Sequence, residues 1–454
     1  MSKIILFVIA FIIIFTSFYN ANASHTDSNN SPIKIFDDEY TIEEFVIGLE
    51  YPTTMDFSEN GIFVLEKNSG KVFHIDFSKD KNIKLVLDLP VTSFAESGLL
   101  GITVVENKYV YLFFSQSEFD KWGLDENTLD VIYRYTWDGN ELINPIFIKS
   151  FDGSHSRHHG GVMTADKNNN VYLFKGDGDS KSIYQNYPDS NNFESGIFKI
   201  DSNNSVELYA MGMRNSFGLA IDPITQNLWE TENGRTTYDE INMINEGFNG
   251  GWELNIGPSY RYDSEIKNNL DKINDSEFQD FVYTEPKFSW YDTVSPTAIA
   301  FPNITSFEKY KEWLFVGDSN SGSIWKFHLN NNRDALVFSD QNLSKDLVLD
   351  LNDSSEEIIF ANIGGILTDI EFRDDGMYIV SHSDGIIYRI YPKNLESTAV
   401  AILLQDEMNK IEPIPLQHYE PFELLMQGKF GEVMEKIYLF IERNYYSMLN
   451  KLNN

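Results

Sequence analysis

The chain holds eight histidines, and three of them, His155, His158 and His159, fall together in SFDGSHSRHHGGVMTADKNNNVYLFKGDGDS. Imidazole titrates near neutral pH and is also a common metal ligand. Such a group therefore admits a metal site, a general base, or a surface loop without a reaction. The H-E-x-x-H spacing of a helical zinc site is absent. The glycine pair that follows, Gly160 and Gly161, suits a sharp turn, because glycine enters left-handed backbone at no steric cost. A strand-like run, VYLF, comes next, so the histidines stand at the approach to a sheet.

The chain has no cysteine. Thiolate metal centres, cysteine nucleophiles and disulfides are thereby excluded, and stability must come from a core. A formal net charge of −34 makes nucleic acid an improbable partner and favours oxygen-ligated cations. The start, MSKIILFVIAFIIIFTSFYNANAS, carries a lysine, an apolar run from Ile4 to Phe15, and small residues Ala21 and Ala23. That is the layout of a secretory signal peptide over 1–23, and it predicts a secreted or extracytoplasmic protein. The apolar run is short beside the roughly 20 residues of a membrane span, though an uncleaved segment could still act as an anchor. Sequons at Asn203, Asn274, Asn303, Asn342 and Asn352 suit an exported surface.

Positioning any site here falls to strands. MDFSENGIFVLEKNSGKVFHIDF opens on an apolar start, then gives a turn, a strand, a second turn and another strand. Copies of this plan begin again at GLLGITVV, GGVMTADK, FGLAIDP, TAIAFPN and LTDIEFR, which makes six. Each alternates apolar and polar residues in runs rich in Val, Ile, Tyr and Phe, the mark of half-buried strands. Six units of about four strands predict an all-β fold, a six-bladed β-propeller over 24–393, in preference to a pair of β-sandwiches. Long inserts at 116–130, 178–194 and 253–290 would gather at the channel mouths. Beyond Lys393 the plan stops, and Val433, Ile437, Phe440, Ile441, Met448 and Leu449 fall at helical spacing. The extension 394–454 is thus expected to carry an amphipathic helix that packs on the propeller, pairs with another subunit or lies on a membrane.

The repeat, the glycines and a series of short motifs in order resemble the exported, pyrroloquinoline-quinone (PQQ)-dependent glucose/sorbosone (aldose sugar) dehydrogenases, over roughly residues 40–392. That family consists of six-bladed propellers. In ESGLLGI, the resemblance implies that Glu96 reaches toward the quinone. In HHGG, it makes His158 the base that takes the anomeric hydroxyl proton, with Gly176 and Asp177 of GDGD matching the end of the next strand. In YAMGMRNSFGLAID, it implies Arg214 and Asn215 as partners of the quinone oxygens, Arg214 stabilising the charge that develops there. In ETENGRTTYDEINMINEGFNGGWE, the carbonyls of Gly234 and Arg235 would bind calcium (Ca2+), and Asp239 and Glu240 would be structural. In PKFSWYDTVSPTAIAF, Trp290 or Tyr291 would stack on the cofactor.

Three family cations are missing. Asn320 stands where a lysine is usual, and Ile366 and Thr368 where a pair of arginines meets the cofactor's carboxylates. Arg157, Arg214 and Lys326 are the candidates to compensate. The resemblance thus implies oxidation of an aldose to its lactone, with PQQ and calcium as cofactors, a sugar substrate and an external electron acceptor. The alternative is a non-catalytic propeller that binds glycan or protein at the cell surface.

Overall fold

The repeats become sheets because successive side chains of a strand point to opposite faces, so neighbouring residues can serve two different cores. Leu112 packs between the first and second sheets while Phe113 packs between the second and third. Leu173 and Phe174 divide in the same way between the second-to-third and third-to-fourth gaps. Phe315 with Val316 and Ile379 with Val380 repeat the pattern further round. The second strand of a sheet is accordingly buried along its whole length, as in Gly61–Glu66, Val171–Lys175, Leu228–Glu232 and Gly376–Ser381.

The structure, a computed structural model, describes residues 33–77, 81–116, 127–179, 186, 194–261 and 280–394. The expected signal peptide, most of the long inserts and the expected C-terminal helix lie outside them. The chain divides into two units, 1–393 and 394–454. Among the described residues the strands form six sheets. Their innermost strands are Pro52–Ser58, Leu99–Val105, Gly160–Ala165, Ser216–Ile221, Pro296–Ala300 and Leu367–Arg373. Each touches the next, and the last touches the first, so the sheets stand radially around an axis. This is an all-β propeller.

The ring is closed by a strand that the repeat does not announce. Tyr40–Ile47 pairs antiparallel with Ile386–Pro392, from Tyr40 opposite Pro392 to Ile47 opposite Ile386. The sixth copy in the sequence supplies three strands, and its fourth comes from the other end of the chain. Phe45, Val46 and Leu49 then pack with Ile62, Val64 and Val380 to seal the gap between the last and first sheets.

Carboxylates on the inner strands stitch neighbouring sheets. Asp56 accepts the Val104 N–H at 2.6 Å, and Asp369 accepts the Met55 N–H at 2.7 Å. They face a cavity of about 200 Å³ on the axis, also lined by Glu371 and Phe217. Among the described residues the one α-helix, Gln341–Asp346, is short, and no helix is long and apolar enough to cross a membrane.

Candidate functional site

The turn before the third sheet is built by its glycines and by the two histidines. His158 adopts φ +57°, and Gly160 and Gly161 follow at +67° and +111°, so three residues in four are left-handed. The turn is held from outside by Glu96, whose Oε2 accepts the His158 N–H at 2.5 Å. Glu96 is itself presented by Lys67, whose Nζ donates to the carbonyls of Ala95 and Ser97 at 2.8 and 2.7 Å. Burial pushes the Lys67 ammonium down to about 8.

His158 is 3% exposed, and its Nδ1 lies 2.5 Å from Asp177 Oδ1. The other Asp177 oxygen accepts from Trp252 Nε1 at 2.8 Å, and the Asp177 N–H donates to the Arg214 carbonyl at 3.0 Å. Asp177 thus fixes the ring and ties it to the next motif. With a carboxylate on Nδ1, the proton resides there and Nε2 keeps its lone pair, the tautomer that a base requires. Gly176 allows this approach: a Cβ on it would lie 2.1 Å from the His158 carbonyl oxygen.

His159 points the other way. It is 1% exposed, with Nδ1 at 2.9 Å from Asp130 Oδ2, and Lys175 Nζ stands 3.3 Å from the same oxygen. Burial pushes the Asp130 carboxyl up, but the charges of His159 and Lys175 and the hydrogen bonds from His159 and Ser115 win and hold it below the usual range. His155 pairs with Asp152 at 3.1 Å near the surface. The three histidines are therefore not ligands of one metal, and no three acids or histidines cluster as a metal site among the described residues.

Arg214 is anchored by its N–H on Glu232 Oε1 at 2.6 Å, and its Nη1 donates to the carbonyls of Asn233 and Gly234 at 2.9 and 3.2 Å. Its neighbour Asn215 is 4% exposed, and the side-chain Oδ1 is buried without a hydrogen-bond partner. The Gly234 turn is tied by Asp239, which accepts from the N–H groups of Gly234, Val294 and Ser295 at 2.8, 2.6 and 2.7 Å. Burial raises the Asp239 carboxyl to about 6 against those hydrogen bonds. Glu240 accepts the Gly257 N–H at 2.6 Å, so both acids of this loop are structural.

Glu96, Arg157, His158, Arg214, Asn215, Gly234 and Arg235 line one cavity of about 330 Å³, together with Asn233, Thr293, Ser295, Thr297, Ser319 and Phe217. Phe217 also lines the axial cavity, so the two cavities meet at this residue. Two predicted residues are not brought there. Trp290 is 1% exposed in the apolar cluster between the fourth and fifth sheets, where Phe288, Trp325 and Phe327 surround it. Tyr291 is turned to the surface, edge-on to Tyr238 at 5.2 Å. Neither Trp290 nor Tyr291, expected to stack on the cofactor, lines this cavity.

Lys326 does not compensate for missing cations either: its ammonium rests 5.4 Å from the Trp313 ring centre, away from the cavity. Asn320 donates to the Thr293 carbonyl at 3.0 Å, Ile366 is exposed, and Thr368 Oγ1 is buried without a partner. Asn233, Asp177 and Trp252 were not given site roles by the sequence. The GDGD run was the available signal for Asp177, but its partner is 19 residues away.

Two groups implied by the resemblance can be tested against these residues. A tricarboxylate quinone fits: three guanidiniums and several hydroxyls offer donors to carboxylates and quinone oxygens. Calcium at Gly234 and Arg235 does not fit this arrangement, because the Gly234 carbonyl already accepts from the Arg214 cation and the Arg235 side chain lines the same cavity.

The family model for glucose/sorbosone dehydrogenase matches residues 49–389. The aldose sugar dehydrogenase YliI of Escherichia coli is 25% identical over 263 residues, covering 53% of this chain and 62% of that protein. The quinoprotein glucose dehydrogenase B of Acinetobacter calcoaceticus is 24% identical over 244 residues, covering 45% of this chain and 50% of that one. The PQQ-bound aldose sugar dehydrogenase of Streptomyces coelicolor superposes with a TM-score of 0.57 at 18% identity, over 78% of this chain and 99% of that one, which supports the fold. With the family model spanning most of the propeller, the chain belongs to the glucose/sorbosone dehydrogenase family.

Proposed function

We infer that this enzyme oxidises an aldose at its anomeric carbon to the lactone, with PQQ in the 330 Å³ cavity and an external electron acceptor. The observation that carries the reading is the His158–Asp177 pair set in the wall of a guanidinium-lined cavity. PQQ, when bound, supplies the two-electron acceptor. The protein's part is proton transfer and charge placement. His158 Nε2 takes the proton of the anomeric hydroxyl, and Asp177 steadies the imidazolium that results. Arg214 and Asn215 direct donors into the cavity where negative charge develops. Glu96 keeps the His158 turn in its left-handed form.

The six sheets are read as six blades, with the site at one mouth and Phe217 beneath it. The signal-peptide layout of 1–23 supports an extracytoplasmic location. Calcium is left out of the reading because Arg214 holds the Gly234 carbonyl. The test is spectroscopic: purified protein is reconstituted with PQQ, and aldoses are added while the quinone absorption is followed. Reduction of the quinone supports the reading. Failure to bind PQQ in any buffer would leave a propeller that binds glycan or protein, the reading favoured by Asn320, Ile366 and Thr368.

A further inference from the structure

The cavity is cationic in a chain whose formal charge is −34. Arg157, Arg214 and Arg235 line it, and Glu96 is the one acid among its lining residues, with an oxygen already committed to the His158 N–H. Arg214 is committed as well, to the Asn233 and Gly234 carbonyls. Arg157 and Arg235 differ: both are exposed, and neither makes a hydrogen bond or ion pair among the described residues. Two exposed guanidiniums at one cavity, unpaired among the described residues, leave their charge to be met by an anion. Arginine's planar fork pairs with a carboxylate through two parallel hydrogen bonds, so the fitting ligand bears carboxylates.

We propose that Arg157 and Arg235 are the carboxylate clamp of this enzyme, holding the acids of PQQ from the third and fourth sheets without a divalent ion. The proposal rests on the quinone reading above. It answers two features of the site: the absence of cations at Asn320, Ile366 and Thr368, and a Gly234 carbonyl that faces a guanidinium. Because both arginines are exposed, they can be changed without disturbing a core.

The experiment is equilibrium binding of PQQ itself to full-length protein, followed by tryptophan fluorescence in EDTA and in calcium. Wild type is expected to bind equally in both buffers, with affinity that weakens as salt rises. Arg157→Gln and Arg235→Gln are each expected to weaken binding roughly tenfold to a hundredfold, with unchanged melting temperature. Binding that appears only with calcium overturns this inference and leaves the quinone reading standing. Variants that bind PQQ as wild type does overturn it too. A parallel titration with glucuronate identifies the other source of a carboxylate: if the variants lose glucuronate and keep PQQ, the arginines serve the substrate and the proposal fails. No PQQ binding in either buffer overturns the functional reading, and the clamp with it.

Discussion

Substituting His158 by alanine removes the ring that Asp177 holds at the cavity wall, and turnover with PQQ is expected to fall about 10²–10⁴-fold. Melting temperature should change little, since Asp177 keeps the Trp252 and Asp179 donors. The neighbouring substitution, His159→Ala, should do the reverse. It strips a hydrogen-bonding partner from the fully buried Asp130, and leaving a buried polar group short of its partner costs about 1–3 kcal/mol. Melting curves and turnover per folded molecule, taken for both variants, separate the base from the structural ring. A turnover loss confined to His159→Ala would overturn the assignment of His158. The HHGG resemblance singles out His158, and the left-handed turn sends the two adjacent rings to opposite sides, His158 to Asp177 and His159 to Asp130. Trp290 shows the same limit from the other direction. Its position opposite Asp239 in the ladder fixes the strand, while the cluster of Phe288, Trp325 and Phe327 decides where the ring lies.

At the scale of elements, the turn and the strand end that follows it are locked together through Gly176. Gly176→Ala would drive a Cβ to 2.1 Å from the His158 carbonyl, and backbone cannot yield as a side-chain tip does. A loss of about 1–3 kcal/mol is expected, the usual cost of overpacking, together with a fall in turnover as His158 moves off Asp177. Normal turnover in a destabilised Gly176→Ala protein would show that the base does not depend on this contact. The strands themselves were legible because alternation repeats five times in full and once in part. The strand Tyr40–Ile47 was not, since its partner is Ile386–Pro392 at the far end of the chain and no local period links them. The missing fourth strand of the sixth copy was the one available sign of it.

The whole ring carries a pH dependence through the acids on its axis. Burial raises Asp56 to about 7 and Asp369 to about 6, and it lifts Glu371 well above the usual range, with the charges of Asp369 and Asp56 adding to it. A carboxyl raised above its unfolded value of about 4 keeps a proton that the unfolded chain releases. Its contribution is therefore fully present below about pH 4 and is lost as pH rises through about 6 to 7. Melting temperature should fall between pH 5 and pH 8, and Glu371→Gln should raise it at pH 8 and flatten the slope. A melting temperature that is level across this range in the wild type would show the axial acids to be ionised throughout.

The strand pairing that closes the propeller also brings residue 40 beside residue 392. Within the propeller the order of the sheets around the axis has no intrinsic beginning. Joining residue 393 to residue 39 by a short linker, and opening the chain instead at the exposed turn around Gly139, should yield a circular permutant. It would keep the six sheets, less the edge pair Lys34–Ile35 of the fifth, and the complete cavity. Its melting temperature and PQQ affinity are expected to match those of residues 39–393 in their native order, because the backbone pairing that holds the ring is indifferent to where the polypeptide is cut.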